Sequence, residues 1–295
     1  MPAFSVCLTG TETYELEKAT FSEQTIVTDE KEPEDILVED SEIGRDRIVG
    51  VIPARYGSSR FEGKVLADIA GKPMIQWVYE RANQSQTLDE LFVAVDDPRV
   101  QSRVERFGGK AILTGAHHES GTDRIAEVVE KMPADIVVNI QGDQPLIDPN
   151  MIDEAVQPMI DNHAIQMSTL KREIEKDEFD DPGVVKVVVD DQDFALYFSR
   201  SLLPYPRYDE NMRVYEHVGL YVYRKDFLLK ISRMPQGYLE KIESLEQLRV
   251  LEKGYRILVI ETKMDRAAGV SVDTPEDIEK VERLINEMKG ISDGH

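Results

Sequence analysis

Short apolar runs and amphipathic segments alternate along most of this 295-residue chain, beginning at Arg47. Short apolar runs predict β-strands, and apolar positions repeated every three to four residues predict helices. The strands predicted in the first part of the chain are Ile48–Ile52, Leu91–Val95, Lys110–Leu113 and Ile136–Ile140. The helices predicted there are Pro73–Arg81, Pro98–Phe107, Thr122–Lys131 and Asp148–Asp161. This alternation predicts an α/β fold with a doubly wound, mostly parallel sheet.

The pattern changes between residues 166 and 223, where strand-like runs follow one another with few helix signals between them. These runs are Val184–Val189, Ala195–Ser199 and Val218–Tyr223. We interpret residues 166–223 as a smaller β-rich insertion, able to carry a dimer interface and part of a binding site. Residues 47–165 and 224–290 would then form the main α/β domain. The elements predicted in the last part are the helices Lys225–Ser232, Leu239–Lys253 and Thr274–Met288 and the strand Arg256–Ile260.

Residues 1–46 differ from the rest in composition. They contain 13 acidic and 3 basic residues, and their apolar positions show little periodicity. Such a segment cannot bury enough apolar surface to offset the entropy of an ordered chain. We therefore predict a disordered acidic extension, while a regulatory or partner-binding arm remains the alternative.

The net charge of −22 restricts the partners of the whole chain. A strongly acidic protein has no general affinity for a nucleic-acid backbone or for an anionic membrane surface. The single cysteine, Cys7, excludes an intrachain disulfide, and no apolar run reaches the roughly 18 residues of a membrane helix. We expect a cytoplasmic protein, in which any polyanion would need a local basic pocket.

The loop after the first predicted strand offers such a pocket. It contains two glycines, two serines and the cations Arg55, Arg60 and Lys64. Backbone N–H groups, hydroxyls and fixed cations together bind phosphates, and α/β folds place ligands at the carboxyl ends of their strands. The loop matches neither a Walker P-loop nor the Gly-x-Gly-x-x-Gly pattern. It predicts a nucleoside triphosphate site of another kind.

Two carboxylates are candidates for holding a divalent cation. Asp143 follows the strand Ile136–Ile140 within Gln-Gly-Asp-Gln-Pro, and Asp273 precedes the last predicted helix. Mg²⁺ commonly takes one or two protein carboxylates and completes its shell with phosphate oxygens and water. Asp143 could instead cap a turn, and Asp273 could cap the helix. Asp96, at the end of the strand Leu91–Val95, offers a further carboxylate at the same edge of the sheet.

A third group of polar and aromatic side chains occurs late in the chain. His217, Tyr221 and Tyr223 alternate along one strand and would share a face. Glu246 and Gln247 place polar groups on an otherwise apolar predicted helix, and Arg200 follows an apolar strand, where its guanidinium would suit a carboxylate. A histidine among aromatics is more often a packed interior residue than a ligand, so this group alone decides nothing.

Seven motifs follow one another between about residues 47 and 288. They are Ile-Pro-Ala-Arg-Tyr-Gly-Ser-Ser-Arg, Gly-Lys-Pro-Met-Ile, Ser-Gly-Thr-Asp-Arg, Gln-Gly-Asp-Gln-Pro, Ala-Leu-Tyr-Phe-Ser-Arg, Glu-Gln-Leu-Arg-Val-Leu and Val-Asp-Thr-Pro-Glu-Asp. Taken together and in order, they resemble the motifs of the CMP-Kdo synthetase (3-deoxy-manno-octulosonate cytidylyltransferase) family.

The resemblance implies that CTP and the sugar acid Kdo react, with Mg²⁺, to CMP-Kdo and pyrophosphate for lipopolysaccharide synthesis. It also implies a homodimer. The triphosphate residues would be Arg55, Ser58, Arg60 and Lys64, with Asp96 and the backbone of Pro53, Ala54 and Arg55 as candidates for cytosine recognition. The metal ligands would be Asp143 and Asp273, which with Arg55 and Lys64 would form the catalytic group. The sugar-acid residues would be Gln141, Arg200, His217, Tyr221, Glu246 and Gln247.

This chain departs from the family pattern at two places in the motifs. Glu62 adds a negative charge to the phosphate loop in a stretch where the family carries prolines, and Gly115 stands where the family commonly has an arginine. Three alternatives therefore stay open. They are a related sugar acid such as 8-amino-8-deoxy-Kdo or a sialic acid, a sugar-1-phosphate nucleotidyltransferase of the same fold, and an inactive binding protein.

Overall fold

A nine-stranded mixed sheet forms the centre of the computed structural model, which describes residues 44–57, 61–118, 120–208, 210 and 212–292. Its strands are β1 (Ile48–Ala54), β4 (Glu90–Val95), β5 (Ala111–Leu113), β6 (Ile136–Asn139), β7 (Met167–Glu173), β8 (Lys186–Val189), β9 (Ala195–Ser199), β10 (Tyr215–Arg224) and β11 (Leu258–Glu261). The short strands β2 (Asp68–Ile69) and β3 (Lys72–Pro73) pair separately.

The strand order is β11-β7-β10-β6-β1-β4-β5, and β8 and β9 extend from β10. The pairs of β1 with β4 and β6, of β4 with β5 and of β7 with β11 are parallel. Among the described strands, β10 runs antiparallel to its neighbours β6, β7 and β8, and β9 runs antiparallel to β8. The predicted α/β class with a mostly parallel central sheet is confirmed.

Eight α-helices connect and cover the described strands. They are α1 (Met74–Ala82), α2 (Pro98–Arg106), α3 (Gly121–Glu130), α4 (Pro149–Asp161), α5 (Lys225–Ser232), α6 (Tyr238–Glu243), α7 (Leu248–Glu252) and α8 (Pro275–Ser292). The helix α3 begins with a reciprocal cap, in which Ser120 accepts from the backbone of Asp123 and Asp123 accepts from the backbone of Ser120. In α2 and α4, a proline occupies the first turn, where its missing N–H costs nothing. Among the described residues, no helix is long and apolar enough to cross a membrane.

The core lies on both faces of the sheet. Within β1, Ile48 and Ile52 pack into one buried cluster, while Val49 and Val51 pack into the other. All four side chains are essentially inaccessible to solvent, as expected for a sheet covered by helices on both sides.

The strands of the segment 166–223 continue the main sheet. Its strands β7 and β10 belong to the main sheet, and β8 and β9 continue from the end of β10. Residues Arg45–His295 form one compact unit. The strand β7 is an element that the apolar pattern did not predict.

One predicted helix, Leu239–Lys253, is wrong as a continuous element. The chain instead forms α6 and α7, which are separated at Ser244 by a left-handed backbone conformation with φ 51° and ψ 49°. The break turns the next residues, Glu246 and Gln247, toward the edge of the sheet where β1 and β6 end.

Candidate functional site

A cleft opens at the edge where the parallel strands β1 and β6 end. One cavity of about 520 Å³ is lined by Arg55, Lys64 and Asp143, among others. A second cavity of about 350 Å³ is lined by His217, Tyr221, Glu246 and Gln247, among others. The two cavities share the lining residues Pro53, Gly121, Gln141 and Asp143. The structure therefore brings the predicted phosphate and sugar-acid groups to adjoining parts of one cleft.

The loop after β1 is closed by backbone contacts. Gly63 has φ 68°, a conformation that favours glycine, and its N–H donates to the carbonyl of Tyr56 at 2.9 Å. The ring of Tyr56 lies under the guanidinium of Arg99, 3.6 Å from the ring centroid. This closure directs Arg55 and Lys64 into the first cavity. The predicted phosphate residues Ser58 and Arg60 lie outside the described residues.

Asp96 binds the backbone of this loop and connects it to Arg124. One carboxylate oxygen accepts from the backbone N–H of Tyr56 at 2.9 Å, and the other accepts from the guanidinium of Arg124 at 3.2 Å. Arg124 is completely buried and also donates to Thr114 and to the carbonyl of Gly115. Burial lowers the pKa of Arg124, while the neighbouring Asp96 carboxylate opposes that change. Asp96 thus supports the loop, and its predicted contact with cytosine stays a prediction.

Arg124 and Thr114 were missed as site residues by the sequence reasoning. Arg124 belongs to the motif Ser-Gly-Thr-Asp-Arg, so the sequence contained an indication of its role. It was missed because an arginine on a predicted helix is usually an exposed surface residue. The Arg124 guanidinium lies 3.4 Å from the carbonyl oxygen of Gly115, the position at which the family's usual arginine side chain is absent.

Lys64 lies between the two candidate metal ligands. Its ammonium nitrogen is 2.9 Å from Oδ2 of Asp143 and 3.3 Å from Oδ1 of Asp273. Burial lowers the pKa of Lys64, but the two carboxylates outweigh burial and raise the pKa above its ordinary value. Lys64 therefore stays charged, and the two carboxylates converge on a single cation.

The start of α8 is bound by another aspartate, Asp277. Its carboxylate accepts from the backbone N–H groups of Asp273 and Thr274 at 2.9 and 2.8 Å. The loops of the two metal candidates are also joined, because the N–H of Val272 donates to the carbonyl of Asp143 at 2.9 Å. The carboxylate of Asp273 is consequently held toward Asp143 and Lys64.

This arrangement fits a divalent cation that is shared with phosphates. In the part of the chain that the structure describes, no group of three or more His, Cys, Asp or Glu side chains could hold a metal ion alone. Two carboxylates that already enclose an ammonium group supply the protein's share of a Mg²⁺ shell, and nucleotide oxygens and water can complete it.

His217 lines the second cavity and contacts two other aromatic residues. Its ring lies 4.9 Å from that of Phe198 and 5.3 Å from that of Tyr221, measured between centroids. Burial lowers the pKa of His217 to about 3, so the imidazole is neutral at physiological pH. The hydroxyl of Tyr221 donates to the amide oxygen of Gln247 at 3.1 Å, and the amide nitrogen of Gln247 lies 3.4 Å from Nδ1 of His217.

Glu246 brings a carboxyl group to the same cavity. The hydroxyl of Thr122 donates to its Oε2 at 3.0 Å. Its Oε1 is buried and has no hydrogen-bond partner among the described residues, although the guanidinium of Arg249 lies 3.9 Å away. Burial raises the pKa of Glu246. A carboxyl group with one unsatisfied oxygen therefore lines the second cavity.

The two remaining residues predicted for the sugar acid, Gln141 and Arg200, lie in different surroundings. Gln141 lines both cavities, and its amide nitrogen lies 3.3 Å from Oδ1 of Asn139. The guanidinium of Arg200 instead donates to the main-chain carbonyls of Pro182, Glu243 and Ser244. Arg200 thus fixes the turn at Ser244, and the structure does not group it with His217 and Tyr221.

A family model and several known proteins match most of this chain. The model of the cytidylyltransferase family matches residues 49–258. A 3-deoxy-manno-octulosonate cytidylyltransferase of Geotalea uraniireducens is 52% identical over 251 residues, which are 81% of this chain and 99% of that protein. The enzyme of the same name from Geobacter sulfurreducens is 51% identical over 246 residues, 79% of this chain and 97% of that protein.

Solved structures show the same relationship. The structure of CMP:2-keto-3-deoxy-manno-octonic acid synthetase complexed with CTP is 50% identical to this chain, with a TM-score of 0.79. The match covers 82% of this chain and 99% of the chain in that structure. A cytidylyltransferase of Leptospira borgpetersenii, at 16% identity and a TM-score of 0.56, shares the fold.

Proposed function

The chain belongs to the cytidylyltransferase family, and on that premise we propose that it transfers the cytidylyl group of CTP to 3-deoxy-manno-octulosonate (Kdo). The products are CMP-Kdo and pyrophosphate. One observation carries the proposal: the cluster of Lys64, Asp143 and Asp273 adjoins a cavity lined by neutral His217 and Tyr221. A cavity suited to a polyanion thus adjoins a cavity suited to a ligand with several hydroxyl groups.

The first cavity is assigned to the triphosphate. Lys64 and Arg55 offset the negative charge that develops on the leaving pyrophosphate, and the loop between β1 and α1 surrounds it. Ser58 and Arg60 are assigned to the same loop from the family resemblance. Pro53, Ala54 and Asp96 lie at the strand ends beside this cavity and are candidates for the cytosine side of the nucleotide.

Asp143 and Asp273 are assigned as the ligands of Mg²⁺. When bound there, the ion neutralises phosphate charge and orients the α-phosphate for attack. Because Lys64 now bridges both carboxylates, its ammonium group must leave them when the nucleotide and its cation enter. Lys64 is then free to pair with phosphate oxygens.

The second cavity is assigned to the sugar acid. His217 and Tyr221 read hydroxyl groups, Gln141 lies between the two cavities, and Glu246 offers its buried oxygen to a donor. The anomeric oxygen of the sugar bonds to the α-phosphorus and loses its proton, while the bond from the α-phosphorus to the bridging oxygen of pyrophosphate breaks. Positioning and charge neutralisation supply most of the rate in such transfers.

The wider setting is proposed from the same family relationship. CMP-Kdo serves lipopolysaccharide assembly, and the enzyme acts in the cytoplasm as a homodimer. Exposed apolar side chains on and next to β9 and α6, here called the exposed apolar patch, support the dimer. They are Leu196, Tyr205, Tyr208, Tyr238 and Ile242, each at least 62% exposed in the single chain.

A substrate panel tests the proposal. Purified protein with Mg²⁺ and CTP is given Kdo, 8-amino-8-deoxy-Kdo or a sialic acid, and the cytidylyl product is identified by mass. We expect CMP-Kdo as the main product. Product from another sugar acid alone would reassign the substrate, and no product from any of them would favour the inactive binding protein.

Variants of the two carboxylates test the metal ligands, and a third, exposed aspartate provides the matched control. Asp143→Asn and Asp273→Asn keep the shape of the site but remove a charge, so kcat should fall by at least about a hundredfold. Asp191→Asn changes an exposed aspartate in the turn between β8 and β9 and should leave kcat unchanged. Wild-type turnover by both site variants would contradict the assignment of the metal ligands.

A further inference from the structure

A buried hydroxyl lies behind the sugar-acid cavity, where the pairing of β10 with β7 is irregular. The register shifts between Val218 and Tyr221, opposite Thr169. Thr169 is completely buried, and its hydroxyl oxygen is 2.7 Å from the carbonyl oxygen of Leu220 and 3.2 Å from that of Val218. The same hydroxyl oxygen is 2.9 Å from Nε2 of His217.

The position of one hydrogen atom follows from these three contacts. A carbonyl oxygen only accepts, and a hydroxyl group has a single hydrogen to donate. Leu220 offers the shortest contact, so the hydrogen of Thr169 points to that carbonyl. A lone pair of Thr169 then faces His217, and Nε2 of His217 must carry the hydrogen of that contact.

The other ring nitrogen of His217 is thereby left as an acceptor. The imidazole is neutral, so a hydrogen on Nε2 leaves Nδ1 without one. Nδ1 faces the amide nitrogen of Gln247 at 3.4 Å, a distance near the limit of a hydrogen bond. The amide oxygen of Gln247 faces the hydroxyl of Tyr221, which agrees with this tautomer, and the short contact of Thr169 with Leu220 decides it.

The opposite tautomer would break this chain of bonds. A hydrogen on Nδ1 would face the N–H of Gln247, or would require the amide to turn over. Nε2 would then need the hydrogen of Thr169, which would be taken from Leu220, its nearest partner. The hydrogen bonds therefore run in one direction, from Tyr221 through Gln247 and His217 to Thr169.

We propose that Thr169 is a positioning residue, which fixes His217 in the Nε2–H tautomer so that Nδ1 is an acceptor, and a hydroxyl of the sugar acid replaces the distant Gln247 amide as its hydrogen-bond donor. The assignment of the ligand rests on the proposed function, but the tautomer does not. Thr169 reaches the substrate only through His217, which lines the cavity together with Tyr221 and Gln247.

The first test reads the tautomer directly by long-range ¹H–¹⁵N NMR of protein labelled in histidine, near neutral pH without ligand. The signals of His217 are identified by their loss in His217→Gln. We expect Nε2 to be protonated in the wild type and in Thr169→Ser, which keeps the hydroxyl. In Thr169→Val, which lacks it, we expect a mixture of tautomers.

The second test compares kinetics with the sugar acid and with CTP. Loss of one neutral hydrogen bond, about 1–1.5 kcal/mol, predicts that Thr169→Val raises KM for Kdo about tenfold. KM for CTP should stay within about twofold, and Thr169→Ser should resemble the wild type.

Ser168 provides a matched control on the same strand. It is as buried as Thr169, and its hydroxyl also donates to a backbone carbonyl, that of Ala155 at 2.7 Å. Ser168→Ala loses a comparable bond away from His217. We expect it to keep both the tautomer of His217 and the KM for Kdo.

The outcomes separate the two proposals. Protonation of Nδ1 in the wild type, or an unchanged tautomer in Thr169→Val, would overturn the role of Thr169 even if Kdo is the substrate. A single tautomer with no turnover of any sugar acid would instead refute the proposed function. If Thr169→Val does not fold, the wild type and Thr169→Ser still decide, because both must show the Nε2–H form.

Discussion

Lys64 is the residue that connects the geometry of the cleft with the chemistry proposed for it. Its ammonium group lies between Asp143 and Asp273, and the surrounding residues bury most of its side chain. Two carboxylates that face each other in a cleft repel one another unless a cation lies between them. Lys64 supplies that cation in the free protein, and a metal ion must compete with it.

This competition predicts an unusual effect of substitution. In Lys64→Met, the two carboxylates lose their cation, so Mn²⁺ used as a probe should bind the nucleotide-free protein at least about tenfold more tightly. The same variant should lose turnover, because Lys64 also neutralises phosphate. Calorimetric titration with Mn²⁺ measures the affinity, and Arg103→Met, on an exposed face of α2, is the control. Equal or weaker binding by Lys64→Met would contradict the competition.

His217 makes a second prediction, about pH. Its pKa in the folded protein is about 3, below the value of 6.5 for an exposed histidine. The unfolded chain therefore takes up the proton first, so His217 costs no stability above about pH 6.5 and reduces stability as the pH falls below it. His217→Gln should lose less stability between about pH 7 and 5 than the wild type, as measured by denaturant unfolding. An identical loss in both proteins would show that His217 is not buried in the neutral form.

The same low pKa bears on substrate use. Since His217 stays neutral above about pH 5, KM for the sugar acid should show no transition near the ordinary histidine pKa. Residue types and motif order predicted the members of this group, but the tautomer and the role of Thr169 could not be predicted. They depend on a register shift in the pairing of β10 with β7.

The break between α6 and α7 positions two residues of the sugar-acid cavity. The apolar pattern of Leu239–Lys253 is continuous and predicted a single helix. Ser244 interrupts it with φ 51°, a conformation that is strained for residues other than glycine. The backbone N–H of Arg200 donates to the carboxylate of Glu243, and the Arg200 guanidinium donates to the main-chain carbonyl of Glu243, so tertiary contacts rather than local preference decide the turn.

Substitutions at Ser244 test the importance of this turn. Ser244→Gly should keep the turn and leave KM for Kdo within about twofold. Ser244→Val places a β-branched residue in the left-handed region, which costs about 1–2 kcal/mol and should displace Glu246 and Gln247. We expect a lower Tm and a higher KM for Kdo, with KM for CTP unchanged.

Gly254 gives the control for strain alone. It has φ 78°, and a side chain there would enter open space. Gly254→Ala should lower Tm by roughly 2–4 °C, as about 1 kcal/mol does in a domain of this size, without changing KM for Kdo. If Ser244→Val lowers Tm but leaves the KM for Kdo unchanged, the turn has no role in the sugar-acid cavity.

The strand β7 shows why another part of the fold escaped prediction. Its sequence Met-Ser-Thr-Leu-Lys-Arg-Glu contains polar residues at positions that the structure buries. Ser168 and Thr169 are paired with backbone carbonyls, and Lys171 forms an ion pair with Asp193. Because these partners come from distant parts of the chain, a pattern of apolar and polar residues cannot reveal the strand. The fully apolar strands, by contrast, were predicted within a few residues.

The surface of the whole molecule leads to a prediction about assembly. The exposed apolar patch on and beside β9 and α6 lies at a strand that pairs, among the described strands, only with β8. Exposed apolar patches and unpaired strand edges commonly mark interfaces between proteins. We expect Ile242→Lys to shift the protein from dimer to monomer, as measured by light scattering after size exclusion.

A second exposed apolar residue provides the comparison. Leu113 is 50% exposed on β5, at the far end of the sheet. Leu113→Lys should remain dimeric at the same protein concentration. A monomeric wild type would contradict the proposed dimer. A dimer that persists in Ile242→Lys would place the interface elsewhere.

Pyrophosphate release from CTP is the most direct measure of the proposed activity. Purified protein is mixed with CTP and Mg²⁺, with and without Kdo, and with excess chelator in a third sample. We expect release only when Kdo and Mg²⁺ are both present, and its loss in Asp273→Asn. Release without a sugar acid, or none with Kdo at any metal concentration, would contradict the assignment of the cleft as the site of cytidylyl transfer to Kdo.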